Sequence, residues 1–174
     1  ALHAEYVNVP KNLVVKVPNG LKMSYASTGT VGSIAMQGIR RADLRLGEYA
    51  VVFGTGLLGL ISLQLLKASG VRVACIDINN QRLDLAKNLG ADKVINSLEE
   101  DPVLSVKNWS QGFGSDAVIF TASTKSDEPL SQSFKMCRKK GRVILVGVSG
   151  MNIKRSDIYK NEIDLKISAS YGPG

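Results

Sequence analysis

The chain has 174 residues, 44% of them hydrophobic and 21% charged, a balance that excludes a disordered or fibrous polypeptide and suits one domain with a real core. Its net charge of +7 raises the question of a nucleic-acid partner. The basic residues are scattered, however, and the densest run, Cys137 to Arg142 (CRKKGR), lacks interleaved aromatics and fits a helix end, where cations complement the dipole.

Residues 3–20 alternate and carry two prolines, a pattern that predicts two short strands closing in a turn at Pro18, Asn19 and Gly20. From Leu21 to Asp43 the period becomes helical, with Ile34 and Ile39 on one face. A repeating order then begins. Strand-like YAVVF (49–53) precedes a helix from Leu57 to Ser69 closed by Gly70, and VRVACI (71–76) precedes a helical NQRLDLAKNLG closed by Gly90. KVIN (93–96) precedes a helix over 102–109, and DAVIF (116–120) precedes a helix from Pro129 to Lys140. RVILVGV (142–148), a short helix near Tyr159 and a strand over 163–170 complete the series. The strands are continuous apolar runs, which marks strands covered on both faces. The fold class expected is therefore α/β, a doubly wound six-stranded parallel sheet of order 3-2-1-4-5-6, the Rossmann architecture.

Two cysteines, Cys75 and Cys137, show neither CxxC nor zinc spacing and read as inert core thiols of a reducing compartment. No apolar run reaches the roughly 18 to 20 residues of a membrane span, and no export leader is visible. The expected setting is cytoplasmic, with neither membrane nor nucleic acid as partner. The lone histidine, His3, reads as a surface residue. Because the chain starts without methionine and stops directly after a strand-like segment, it is expected to be a piece of something longer.

Gly54, Gly56 and Gly59 spell G-x-G-x-x-G between the first strand and its helix. The first glycine permits the tight turn, the second admits a diphosphate close to the backbone, and the third lets the helix pack on the sheet. Thr55 lies within the turn, and the amides of Leu57 and Leu58 would face an anion at the helix N-terminus. Asp77 ends the second strand, eighteen residues beyond Gly59. From there a carboxylate can accept the ribose hydroxyls of NAD and repel the 2′-phosphate of NADP. Ile78 follows it, and Arg82 stands close enough in sequence to touch the adenine or a phosphate. Ligands of such sheets bind beyond the carboxyl ends of the strands, so Thr121, Ala122, Gly147, Val148, Ala169 and Ser170 are candidates to line the nicotinamide half. No residue stands out as a proton donor, and no catalytic residue is named.

With these features in place, the chain resembles the cofactor-binding domain of the medium-chain dehydrogenase/reductase family, the alcohol dehydrogenase-like group. The likeness runs through HAEYVNVP, VVKVPNG, GIRRADLRLGE, VVFGTGLLGLISLQLLKASG, DINNQRLDLAKNLGAD, GSDAVIFTAS and GRVILVG, in the family's order over nearly the whole chain. TASTKSDEP and SYGPG further resemble a two-part bacterial oxidoreductase in which a Gfo/Idh/MocA-type dehydrogenase domain follows. The resemblance implies that residues 1–18 are the tail of a GroES-like catalytic domain, residues 19–174 the NAD(P)-binding domain, and the chain alone binds cofactor without turnover. It also implies a small-molecule alcohol or carbonyl substrate, and a homodimer paired through the edge strand near Lys166 to Ser170. Zinc-dependent members place a Cys, Asp or Glu ligand before the first cofactor-domain strand. STGTVGS (27–33) contains none, so zinc is either absent or held differently.

Two other functions use similar parts. An S-adenosylmethionine-dependent methyltransferase also sets glycines after its first strand and an acid after its second, although a third glycine at this spacing suits a diphosphate better. A non-catalytic NAD(H)-sensing module would bind the cofactor without hydride transfer.

Overall fold

The structure is a computed structural model and describes residues 3–172; residues 1, 2, 173 and 174, which fall within the expected domain limits, lie outside it. Thirteen labelled elements follow a 3-10 turn at Lys11–Leu13. They are α1 (Met23–Ala26), α2 (Gly29–Ala42), β1 (Tyr49–Phe53), α3 (Leu57–Ala68), β2 (Arg72–Asp77), α4 (Asn80–Asn88) and β3 (Lys93–Asn96). Then come α5 (Pro102–Trp109), β4 (Ser115–Phe120), α6 (Glu128–Met136), β5 (Cys137–Leu145), α7 (Arg155–Ile158) and β6 (Asp164–Ile167). The six strands form one parallel sheet of order β3-β2-β1-β4-β5-β6, as the apolar runs imply.

Alternation within the strands divides the core between two layers. Val51, Phe53, Ile76, Val118 and Phe120 face Val106 of α5 and Leu130 and Phe134 of α6. Ala50, Val52, Val73, Cys75 and Ile119 face Ala42 of α2, Leu63 and Leu66 of α3, and Ala86 of α4. Leu63 and Leu66 are wholly buried, and each contributes about 1.5–3 kcal/mol by leaving water.

Three local expectations are corrected. Residues 3–20 form no strand: outside the 3-10 turn they run as irregular, largely exposed chain. An extended segment needs a neighbouring backbone for its N–H and C=O groups, and the sheet's pairing leaves these residues out. The helix expected over 21–43 breaks at Ser27 and Thr28, whose hydroxyls donate to the carbonyls of Ser24 and Tyr25 and compete with the helical ladder.

The helix expected to reach Lys140 stops at Met136, and β5 starts at once with Cys137 paired to Ser115. A register shift between Ser115 and Ala117 absorbs residues 138–141. The basic run is therefore held by acids rather than by a helix dipole. Arg138 pairs with Asp116 and Glu48, Lys139 and Lys140 with Glu162, and Arg142 with Glu48. The lysines hold the exposed Glu162 carboxyl below its ordinary range, Lys139 foremost. Among the described residues no helix is long and apolar enough to cross a membrane.

Candidate functional site

The parallel sheet brings the ends of β1, β2, β4 and β5 to one edge, and the turn after β1 is built there. Gly54 turns with φ +99°, and a Cβ on it would lie 2.6 Å from the Ala122 amide nitrogen. Both the dihedral and the crowding exclude a side chain. Its own amide donates to the Ile76 carbonyl at 2.7 Å, tying the turn to β2. Gly59 stands one turn into α3, where a Cβ would sit 2.0 Å from the Gly54 carbonyl oxygen. Gly56 is different: as N-cap of α3 it has an ordinary φ of −72°, and no atom lies within 4 Å of its would-be Cβ. No side chain caps α3, and among the described residues nothing accepts the Leu57 and Leu58 amides. Orphan donors at the positive end of a helix dipole, over an open backbone, form a site for an anion.

Asp77 closes the turn from β2 and is only 7% exposed. Its Oδ2 accepts the Thr55 amide at 2.7 Å and the Thr55 hydroxyl at 3.0 Å. Oδ1 accepts the amides of Ile78 at 2.8 Å and Asn79 at 3.1 Å. A carboxylate offers about four lone-pair directions, so this one is more fully engaged than a strand-end acid read from sequence. The Arg82 guanidinium reaches to 3.9 Å from Oδ2 while its own amide donates to the Asn79 side chain that caps α4. Ile78 lies exposed beside them.

Thr121 and Ala122 leave β4 with both amides donating to the Phe53 carbonyl at 2.9 Å, and the Thr121 hydroxyl turns toward the glycine turn. Gly147 packs so closely on this segment that a Cβ would lie 2.1 Å from the Ala122 carbonyl. Val148 bridges to Ser123 and donates to Ala122. The candidates from four strand ends are thus joined in one continuous edge. Ala169 and Ser170 are not joined to it: they follow β6, three strands from β1, and are exposed.

Asn96 is a residue the sequence pattern missed. It pairs with Asp77 across β2 and β3, and its side-chain amide donates to Asn80 at 2.7 Å and to Glu99 at 2.9 Å. It therefore buttresses the start of α4 from behind. A polar residue ending a short strand is the signal that could have found it. Ser168, also missed, carries a buried hydroxyl without a partner among the described residues.

Burial pushes the Cys75 thiol up to about 12, with Asp92 and Asp77 adding to the effect. Burial likewise raises Cys137 to about 12, against a lowering hydrogen bond from Ser115. Both thiols stay protonated at neutral pH and do not suit a metal. Among the described residues no three His, Cys, Asp or Glu side chains come together as a metal site, so these residues by themselves assemble no zinc site.

What this edge can do is seat an anion on a helix terminus beside a fixed, partly shielded carboxylate. Comparison with known proteins gives the family. Residues 58–174 match the model of the zinc-binding dehydrogenase family. An alcohol dehydrogenase of Geobacillus stearothermophilus is 33% identical over 152 residues, covering 87% of this chain and 44% of that protein. An alcohol dehydrogenase of Thermus sp. ATN1 superposes with TM-score 0.81 at 27% identity, over 90% of this chain and 46% of that one. A zinc-binding dehydrogenase of Sinorhizobium meliloti 1021 solved with NADP shares the fold, with TM-score 0.85 at 23% identity over 95% of this chain and 50% of that one. The chain spans less than half the length of the curated relatives it matches. Fold, glycine turn and these matches converge, and the chain belongs to the zinc-binding dehydrogenase family, as the cofactor-binding domain of an alcohol dehydrogenase-like oxidoreductase.

Proposed function

We propose that the chain binds NAD(H) at the glycine turn and is the cofactor half of an oxidoreductase that moves hydride between a nicotinamide and an alcohol or carbonyl substrate. The observation that carries this reading is the pair of unpartnered Leu57 and Leu58 amides over the open Gly56, one strand from the fixed carboxylate of Asp77. A bound nicotinamide dinucleotide supplies the hydride chemistry itself. The chain's residues bind and orient: the amides hold the diphosphate, Gly56 lets it approach, and Asp77 with Ile78 and Arg82 meets the adenosine side. Thr121, Ala122, Gly147 and Val148 shape the edge that leads to the nicotinamide, and Ala169 and Ser170, beyond β6, stand apart from it.

The negative charge of Asp77 favours NAD(H) over NADP(H), and Arg82, at 3.9 Å, tempers that preference. In the intact protein a further, catalytic domain supplies the substrate pocket, so the chain alone binds cofactor without turnover. Exposed apolar residues of the N-terminal segment, Tyr6 and Val15 among them, support such a neighbour. The free edge of β6, which pairs with β5 on one side only, suits a homodimer. Two free, buried cysteines support a reducing, cytoplasmic setting.

Calorimetric titration with NADH and NADPH tests the reading on the wild type and on Asp77→Asn. NADH should bind about tenfold more tightly than NADPH to the wild type, and the preference should shrink in the variant. Binding of neither dinucleotide, or a wild-type preference for NADPH, would overturn it.

A further inference from the structure

The Thr121 hydroxyl lies 2.6 Å from the Gly54 carbonyl oxygen and 3.2 Å from that of Phe53. It has one proton to donate, and the shorter contact takes it. The Phe53 carbonyl already accepts two amides, those of Thr121 and Ala122. Among the described residues, by contrast, the Thr121 hydroxyl is the one donor that reaches the Gly54 carbonyl. The same oxygen is enclosed from the other side by Gly59, whose would-be Cβ lies 2.0 Å from it and 2.9 Å from Thr121 Oγ1.

The peptide linking Gly54 to Thr55 is planar and trans, so its C=O and N–H point in opposite directions. The carbonyl end is held by Thr121, directly after β4, and the amide end donates to Asp77 of β2 at 2.7 Å. One peptide plane is thus clamped between the strands on either side of β1. Its orientation sets the path of the chain into Gly56 and the direction in which the Leu57 and Leu58 amides emerge.

We propose that Thr121 is a positioning residue: its hydroxyl clamps the Gly54 peptide against Asp77 and thereby aims the α3 amides at a dinucleotide diphosphate. The inference rests on reading this turn as a dinucleotide site. It gives Thr121 a role different from the one its strand-end position suggests, since its polar atom faces the turn and acts through it. Asp77 keeps its hold on the Ile78 and Asn79 amides whatever Thr121 does, so the adenosine side of the site is independent of the clamp.

The test uses the 174-residue chain and compares wild type, Thr121→Val, which loses the donor, and Thr121→Ser, which keeps it. NADH and ADP-ribose are titrated by calorimetry and adenosine, which has no diphosphate, by NMR. Thr121→Val should bind NADH and ADP-ribose roughly tenfold more weakly and adenosine as wild type does, with Thr121→Ser close to wild type. In the unliganded protein, amide exchange at Thr55, whose N–H donates to Asp77, should quicken in Thr121→Val while Ile144, near the end of β5, stays as protected as before. A Thr121→Val variant that fails to fold hands the comparison to Thr121→Ala, which lacks the donor without added bulk. Equal dinucleotide binding in wild type and the donorless variant would overturn the inference, as would an equal loss for adenosine or a serine variant no better than valine. If the wild type binds neither NADH nor ADP-ribose, the dinucleotide reading falls and takes the inference with it.

Discussion

Gly56 and Gly59 belong to one motif, yet the surrounding atoms give them opposite tasks, and alanine at each position separates the two. At Gly59 an added methyl would overlap the Gly54 carbonyl at 2.0 Å, and backbone cannot move aside as a flexible side chain can. Gly59→Ala should therefore cost about 1–3 kcal/mol, read as a lowered urea midpoint without any ligand. At Gly56 the methyl enters open space at an ordinary φ of −72°. Gly56→Ala should leave the urea midpoint at or slightly above wild type and weaken NADH binding, because the methyl stands where the diphosphate must approach. If both variants changed stability alike, the division of labour would be wrong. The glycines and Asp77 were legible in the sequence because glycine marks a backbone constraint and an acid at a strand end marks a position. The hydroxyls of Thr55 and Thr121 were not, since a threonine's partner depends on which strands lie beside it, and both turned inward to the turn.

The elements whose limits were misjudged are those where a side chain or a missing neighbour outweighs local propensity. The end of α6 is set by β4: Gly114 turns at φ +89° with its would-be Cβ 2.8 Å from the Met136 carbonyl, and Ser115 draws Cys137 into the sheet. Nothing in the run from Phe134 to Lys140 announces that contact. By contrast the apolar runs of β1, β2 and β4 and the glycines closing α3 and α4 were read correctly, because burial on both faces leaves the same signature wherever the partner strands come from. Asp116 secures the irregular junction. It is buried, and it accepts the Tyr49 amide of β1 at 2.8 Å and the Arg138 guanidinium of the bulge. Asp116→Ala leaves a strand amide and a half-exposed cation without their acceptor and should cost about 1–3 kcal/mol. Urea unfolding of this variant against Lys139→Ala, a change at an exposed, solvent-screened ion pair, checks it; equal costs would show that the bulge does not depend on Asp116.

At the scale of the whole molecule, stability and surface exposure lie at opposite ends of the chain. The buried side chains belong to the sheet and its covering helices, whereas no residue from 3 to 34 among those described is buried. The N-terminal segment nonetheless carries Tyr6, Val7, Val9, Leu13, Val14 and Val15 exposed to solvent. Exposed apolar side chains in this number suit a contact with another protein unit, and the proposed catalytic domain is the unit that would cover them. The chain's own fold does not use them, because the six-stranded sheet closes without any contribution from residues 3–20. Removing residues 1–20 should therefore change the free energy of unfolding by no more than about 0.5 kcal/mol and leave NADH affinity as it was. The same truncation should reduce self-association at high concentration, measured by sedimentation velocity, because it removes apolar surface that has no partner within the chain. A large loss of stability would mean that the segment is part of the domain core and not the margin of a neighbour.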